Sequence, residues 1–250
     1  MKIFDIHTHN FAHSTRDIYA EAKKHGIGRI LLLGDVLRFG EYPTADEVIQ
    51  INNDTIADVK AHRDMADGFC FMHPGLEPEF IRSEVARCFA EPGIKGVKLE
   101  ISLCCRDEKM STLMELLEKY DKPLLQHTWF KIVGKYASES DPTDVAVLAK
   151  RYPKVKIVMA HLCGCGYRGV EFIADCPNVY VDTSGGQAED GFLQYAVKRI
   201  GAKRLLYGSD APCRDFGVQK HKVLDAGLKS DDLEKILYSN AMELLKNENI

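Results

Sequence analysis

The sequence predicts one (β/α)8 barrel spanning residues 1–250, and three observations carry that expectation. Eight short apolar runs alternate with longer amphipathic segments. Several runs, such as Arg29-Ile30-Leu31-Leu32-Leu33, are near-continuous in aliphatic residues, as expected of parallel strands buried on both faces. A length of 250 residues is ordinary for one such barrel, and no linker, low-complexity tract or internal repeat divides the chain. A doubly wound open sheet, the competing fold, would place a glycine-rich phosphate turn after its first strand. His7-Thr8-His9-Asn10 is not such a turn.

Strands are expected at 2–9, 29–36, 68–73, 96–103, 124–129, 156–161, 179–184 and 204–210. Helical patterns at 16–25, 45–65, 79–90, 110–120 and 143–152 each run into glycine or proline: Gly26, Gly68, Pro92-Gly93, Pro123 and Pro153. Ser111 is the expected cap of the fourth helix, and Asp141-Pro142 puts proline in the first turn of the fifth. Ser230-Asp231-Asp232 opens the last helix with acids that suit its dipole.

Composition narrows the function. Hydrophobic residues make up 45% of the chain and charged ones 28%, which is the profile of a globular protein. The net charge of −4 comes with scattered Lys and Arg, so nucleic acid is not an expected partner. No apolar run approaches the ~18 residues of a membrane span. Met1-Lys2-Ile3-Phe4-Asp5 reaches an acid too early for a signal peptide, and the expected location is cytoplasmic. The eight cysteines include no CxxC pair, so they read as reduced, small hydrophobes. Cys163 and Cys165, a CxC just past His161, leave a soft-metal or redox role as a minor alternative.

The chemistry collects at the strand ends, where barrels of this kind carry their active sites. His7 and His9, two residues apart on the first strand, should point the same way and offer two imidazoles to a transition metal. The remaining strand ends supply Asp35, His73, Glu100, His127, His161, Ser184 and Asp210. Asp5 is expected to face the same way as His7 and to accept a hydrogen bond from a ligand ring, or else to form a core ion pair. Arg214, four residues past Asp210, is a candidate for pairing with a substrate carboxylate. Trp129 is a candidate pocket wall. Cys163-Gly164-Cys165-Gly166 should form a tight loop that brings Tyr167 or Arg168 to the substrate. His73 reads as a hydrogen-bonded loop residue, and His13, His25, His62 and His221 as surface residues.

Taken as a set, these motifs resemble the amidohydrolase superfamily, and more closely its amidohydrolase-related branch, which includes decarboxylases of the aminocarboxymuconate-semialdehyde type. The resemblance rests on Asp5-Ile6-His7-Thr8-His9, Gly96-Val97-Lys98-Leu99-Glu100, Pro123-Leu124-Leu125-Gln126-His127 and Val158-Met159-Ala160-His161-Leu162. It continues through Val179-Tyr180-Val181-Asp182-Thr183-Ser184-Gly185 and Tyr207-Gly208-Ser209-Asp210-Ala211-Pro212. It implies that His7, His9, His127 and Asp210 hold a divalent ion, most simply Zn2+ with Mn2+ as the alternative, that Asp210 takes the proton from the metal-bound water, and that His161 orients that water or polarises the substrate. Two arrangements stay open. In one, Glu100 bridges two ions, with His161 joining His127 as a ligand of the second. In the other, Glu100 pairs with Lys98 or an arginine and one ion is held.

The preferred activity is hydrolysis of an amide, ester or lactone of a small, carboxylated metabolite by a metal-activated water. The alternative is metal-dependent, non-oxidative decarboxylation on the same site. A non-catalytic barrel would show a broken ligand set, and none is evident. The resemblance allows a homodimer, which no feature of the sequence demands.

Overall fold

The computed structural model describes residues 1–246. Its strands are β1 (Phe4–Thr8), β2 (Arg29–Leu32), β3 (Ala66–Phe71), β4 (Ile94–Leu99), β5 (Leu124–Gln126), β6 (Ile157–Met159), β7 (Val179–Asp182) and β8 (Leu205–Leu206). All eight pair in parallel in sequence order. The Ile6 N–H donates to the Tyr207 carbonyl (2.9 Å) and the Asp210 N–H to the His7 carbonyl (2.7 Å), which completes the ring between β8 and β1. The protein is therefore the expected (β/α)8 barrel.

Eight helices follow the strands: α1 (Ile18–Lys24), α2 (Ala45–Ala61), α3 (Pro78–Phe89), α4 (Ser111–Tyr120), α5 (Pro142–Arg151), α6 (Leu162–Ile173), α7 (Phe192–Ile200) and α8 (Phe216–Leu224). The tail adds α9 (Ser230–Glu234), a π-helical turn (Lys235–Ser239) and α10 (Asn240–Leu245). The Asn240 side chain donates to the Ala202 and Leu205 carbonyls (2.8 and 2.7 Å), which fastens the tail to the start of β8. No described helix is long and apolar enough to cross a membrane.

Alternation along the strands sorts the side chains into two apolar layers. Ile30, Val97, Ile157 and Val181 pack against helix residues such as Val48, Ile51 and Val85. Phe4, Leu31, Phe69, Leu125, Val158 and Leu206 take the opposite parity and form a separate cluster inside the barrel. That parity also turns Lys98, Glu100 and Asp182 inward, above the apolar floor.

Three local expectations are corrected. Ser111 caps nothing: a 3-10 turn (Glu108–Met110), capped by Asp107, leads directly into α4. Residues 163–166 are helical rather than a loop, because α6 starts at Leu162 and absorbs Gly166 as a local kink (φ 64°, ψ −170°). Asp5 does not reach the His7 ring. Its Oδ1 accepts the backbone N–H groups of His7 and Ser209, both at 3.0 Å. The β1–β2 register slips between Asp5 and Thr8 in the same stretch. By contrast, Asp141 and Asp144 form a full capping box with Pro142 at the start of α5.

Candidate metal and catalytic site

His7, His161 and Asp210 meet at the C-terminal mouth of the barrel, each offering one ligand atom within 4.8 Å of the others. His7 Nε2 lies 3.6 Å and His9 Nε2 3.7 Å from Asp210 Oδ1, and His161 Nε2 lies 3.9 Å from Asp210 Oδ2. The other nitrogen of each β1 imidazole is anchored from behind. His7 Nδ1 meets Asp182 Oδ2 at 2.8 Å, and His9 Nδ1 donates to the Gly34 carbonyl at 2.8 Å. These anchors fix the rings with Nε2 facing Asp210. His7 Nε2 is buried and has no hydrogen-bond partner, the condition expected of a nitrogen reserved for a metal.

Strain marks the same place. Four described non-glycine residues have left-handed φ, and His161 (66°) and Asp210 (63°) are two of them. Such a conformation costs about 1–2 kcal/mol per residue and concentrates at functional sites. Tight packing holds the rings there: a Cβ at Gly208 would lie 2.9 Å from His7 Cβ, and one at Gly164 would strike the Trp129 ring at 2.8 Å.

Electrostatics favours neutral imidazoles here. Burial lowers the His9 pKa to about 3 and holds His161 well below its ordinary value. Burial also raises the Asp210 carboxyl, which helps it to carry a proton. For Asp182, burial opposes ionisation, but the His7 ring overcomes it and the carboxyl is held low. Neutral nitrogens and a carboxylate suit a divalent ion such as Zn2+ or Mn2+.

The β4–β5 side is different in kind. Glu100 Oε2 accepts the Lys98 ammonium (2.7 Å), and Glu100 Oε1 lies 2.9 Å from His127 Nδ1. His127 Nε2 lies 3.0 Å from Glu139 Oε1, which also takes the Lys131 ammonium at 2.8 Å. Burial opposes the charges of Glu100, His127 and Glu139. Even so, their partners raise His127 and hold Glu100 and Glu139 low. Glu100 thus sits where the ion-pair alternative put it. His127 is beside the cluster, its ring 4.9 Å from that of His161, with both nitrogens engaged by carboxylates.

The remaining expected residues divide. Arg214 stands at the rim with Nε 4.0 Å from Asp210 Oδ2. Trp129 packs against His161, ring centroids 5.1 Å apart. Tyr167 lies against Phe192 and Tyr195 of α7, and Arg168 lies over Phe130, so neither joins the imidazoles. His73 bonds to the Pro43 carbonyl, and the Asp35 carboxylate accepts the Ala12 N–H. His62 is not simply a surface residue: it stacks on Tyr19 at 3.6 Å and lines a cavity of about 330 Å³ with His9, Asn10, Phe11 and Asp58.

Two site residues escaped the sequence reading. Asp182 ends β7 two positions before Ser184, the strand-end candidate of that run. Its inward parity and acid character were the available signal. Glu139 lies in a loop, where no period marks it.

A closed parallel barrel with imidazoles and carboxylates gathered at its C-terminal end is an enzyme-type barrel. The family model described as Amidohydrolase matches residues 5–246, and the chain belongs to that amidohydrolase family. Its fold is similar to that of 5-carboxyvanillate decarboxylase from Sphingomonas paucimobilis, with TM-score 0.79, 14% identity and coverage of 98% of this chain and 99% of that one. It is also similar to 2,6-dihydroxybenzoate decarboxylase from Rhizobium (TM-score 0.77, 16% identity, 98% of each chain). A third similar structure is a dihydroxybenzoic acid decarboxylase from Polaromonas with bound manganese and the inhibitor 2-nitroresorcinol (TM-score 0.76, 18% identity, 98% and 97%). The sequence matches no protein of curated function.

Proposed function

We propose that this protein is a metal-dependent, non-oxidative decarboxylase of a small aromatic or enoic acid. The observation that carries the reading is the unpartnered, buried His7 Nε2 facing Asp210 and His161. The full-length likeness to decarboxylase barrels, one of them with manganese, supports it and favours decarboxylation over the hydrolysis preferred from sequence. His7, His9 and Asp210 would hold one divalent ion, with His127 as a further ligand once its Nε2 is released. The engagement of Glu100 by Lys98 and His127 supports one ion over two. A divalent ion at this place supplies Lewis acidity that binds and orients the acid.

The chain's own residues do the rest. Arg214 at the rim faces the substrate's charge with paired donors. Trp129 and Phe11 wall the imidazoles, Trp129 against His161 and Phe11 stacked on His9 at 5.5 Å. The bond from the carboxylate to its neighbouring carbon breaks, CO2 leaves, and that carbon takes a proton from Asp210, whose burial suits it to carrying one. His161 orients the acid against Asp210.

The test is to load the purified protein with Mn2+ or Zn2+ and incubate it with hydroxybenzoates in D2O. CO2 release with deuterium at the vacated carbon, read by NMR, is the expected result. Turnover of lactones or esters with no CO2 from any acid would return the assignment to hydrolysis.

A further inference from the structure

We propose that Glu139 is a positioning residue that latches the segment between β5 and α5 onto His127, and that a divalent ion taking His127 Nε2 releases the latch. The inference rests on the reading of His127 as a metal ligand. An imidazole nitrogen cannot both bond to a carboxylate and give its lone pair to a metal. Both His127 nitrogens are engaged, Nδ1 by Glu100 on the barrel side and Nε2 by Glu139 on the loop side, and we assign the exchange of partner to Nε2.

Glu139 is built to hold this segment. Its carboxylate is 1% exposed, and it meets three points of the same stretch: His127 Nε2 at 3.0 Å, Lys131 Nζ at 2.8 Å and the Tyr136 N–H at 3.3 Å. The Lys131 ammonium lies over the Trp129 and Tyr136 rings. Beyond Glu139 the segment is tied by the Lys135–Asp141 pair (2.8 Å) and by the Phe130 N–H to the Gly164 carbonyl (3.1 Å), while Ile132 and Val133 at its tip are 92% and 86% exposed. One buried carboxylate therefore joins a candidate ligand to a loop that bears Trp129, the wall of the site and the only tryptophan in the chain. If His127 Nε2 is drawn to the ion, Glu139 keeps only Lys131 and Tyr136, and the segment loses its tie to the His127 ring.

The experiment strips the full-length protein with chelator and titrates Mn2+. In wild type, Mn2+ should speed tryptic cleavage after Lys131 and Lys135 by roughly threefold or more, as the open population grows, and shift Trp129 emission to longer wavelength. E139Q should cleave rapidly with or without Mn2+ and bind Mn2+ about tenfold more tightly by calorimetry, because the competitor for Nε2 is weakened. H127A separates the two claims. If it binds Mn2+ as tightly as wild type, the ligand reading fails and the latch with it. If H127A binds weakly while Mn2+ leaves wild-type cleavage and emission unchanged, His127 stands as a ligand and the latch is overturned. Should E139Q fail to fold, the wild-type cleavage and emission still decide.

Discussion

The two sides of the barrel mouth solve the same problem, burying polar groups, in opposite ways. On the side of β1, β6 and β8, His9 and His161 are kept neutral by burial and His7 Nε2 is left without a partner. On the side of β4 and β5, Lys98, Glu100, His127, Glu139 and Lys131 alternate in charge, and each contact is near 3 Å or shorter. A buried neutral nitrogen without a partner costs far less than a buried unpaired charge, and it stays available. A buried charge must be paired, and pairing commits it. The first side is therefore ready to take a ligand, and the second supplies rigidity.

The sharpest break of that comparison is at the available side. His7→Ala or Asp210→Asn should lose the bound metal and with it essentially all activity, while far-UV circular dichroism stays that of the wild-type barrel. Full metal content in a His7→Ala/His9→Ala double variant would remove the site. Next in size is the committed side, where Glu100→Gln leaves Lys98 buried without its carboxylate. Breaking a buried pair costs about 3–5 kcal/mol, so the urea midpoint should fall far more than in His9→Ala.

Asp182→Asn should act more mildly, by about 10–100-fold in metal affinity, because it anchors His7 without facing the ion. Calorimetry would measure it, and an unchanged affinity would deny Asp182 that role. The pH dependence follows in order. His127 and Lys98 outweigh burial and hold Glu100 well below its ordinary value of 4.5. Its contribution to stability is therefore full above that value and is lost as pH falls below it. The stability gap between wild type and Glu100→Gln should narrow on acidification, and a gap that stays constant would contradict the pairing. The smallest effect is at the rim, where Arg214→Lys should raise KM for a carboxylated substrate more than it lowers kcat, by about 1.5–3 kcal/mol of binding. Equal KM values would make Arg214 an ordinary loop residue.

Much of this site is legible because barrel strands end at one face, so a histidine or acid at a strand end is already placed. His7, His9, His161 and Asp210 follow from that rule alone. The rule takes each position by itself, however, and cannot tell which neighbour a side chain will choose. His127 and Glu100 occupy strand ends as legible as the others, yet here they meet each other, Lys98 and Glu139.

The (β/α)8 class, the strand order and the ring of imidazoles and acids at the mouth are determined by local sequence: apolar runs of strand length, glycine and proline stops, and polar residues at each run's end. What only the tertiary structure decided is the pairing. Asp182 stands behind His7 because closure of the ring sets β7 next but one to β1, with β8 between them. Asp5 turns to backbone N–H groups because the turn after β8 brings the Ser209 N–H to it beside that of His7. Glu139 reaches His127 because a loop with no period of its own folds back over β5. Pairing depends on distances between elements far apart in sequence, and no periodicity encodes those distances.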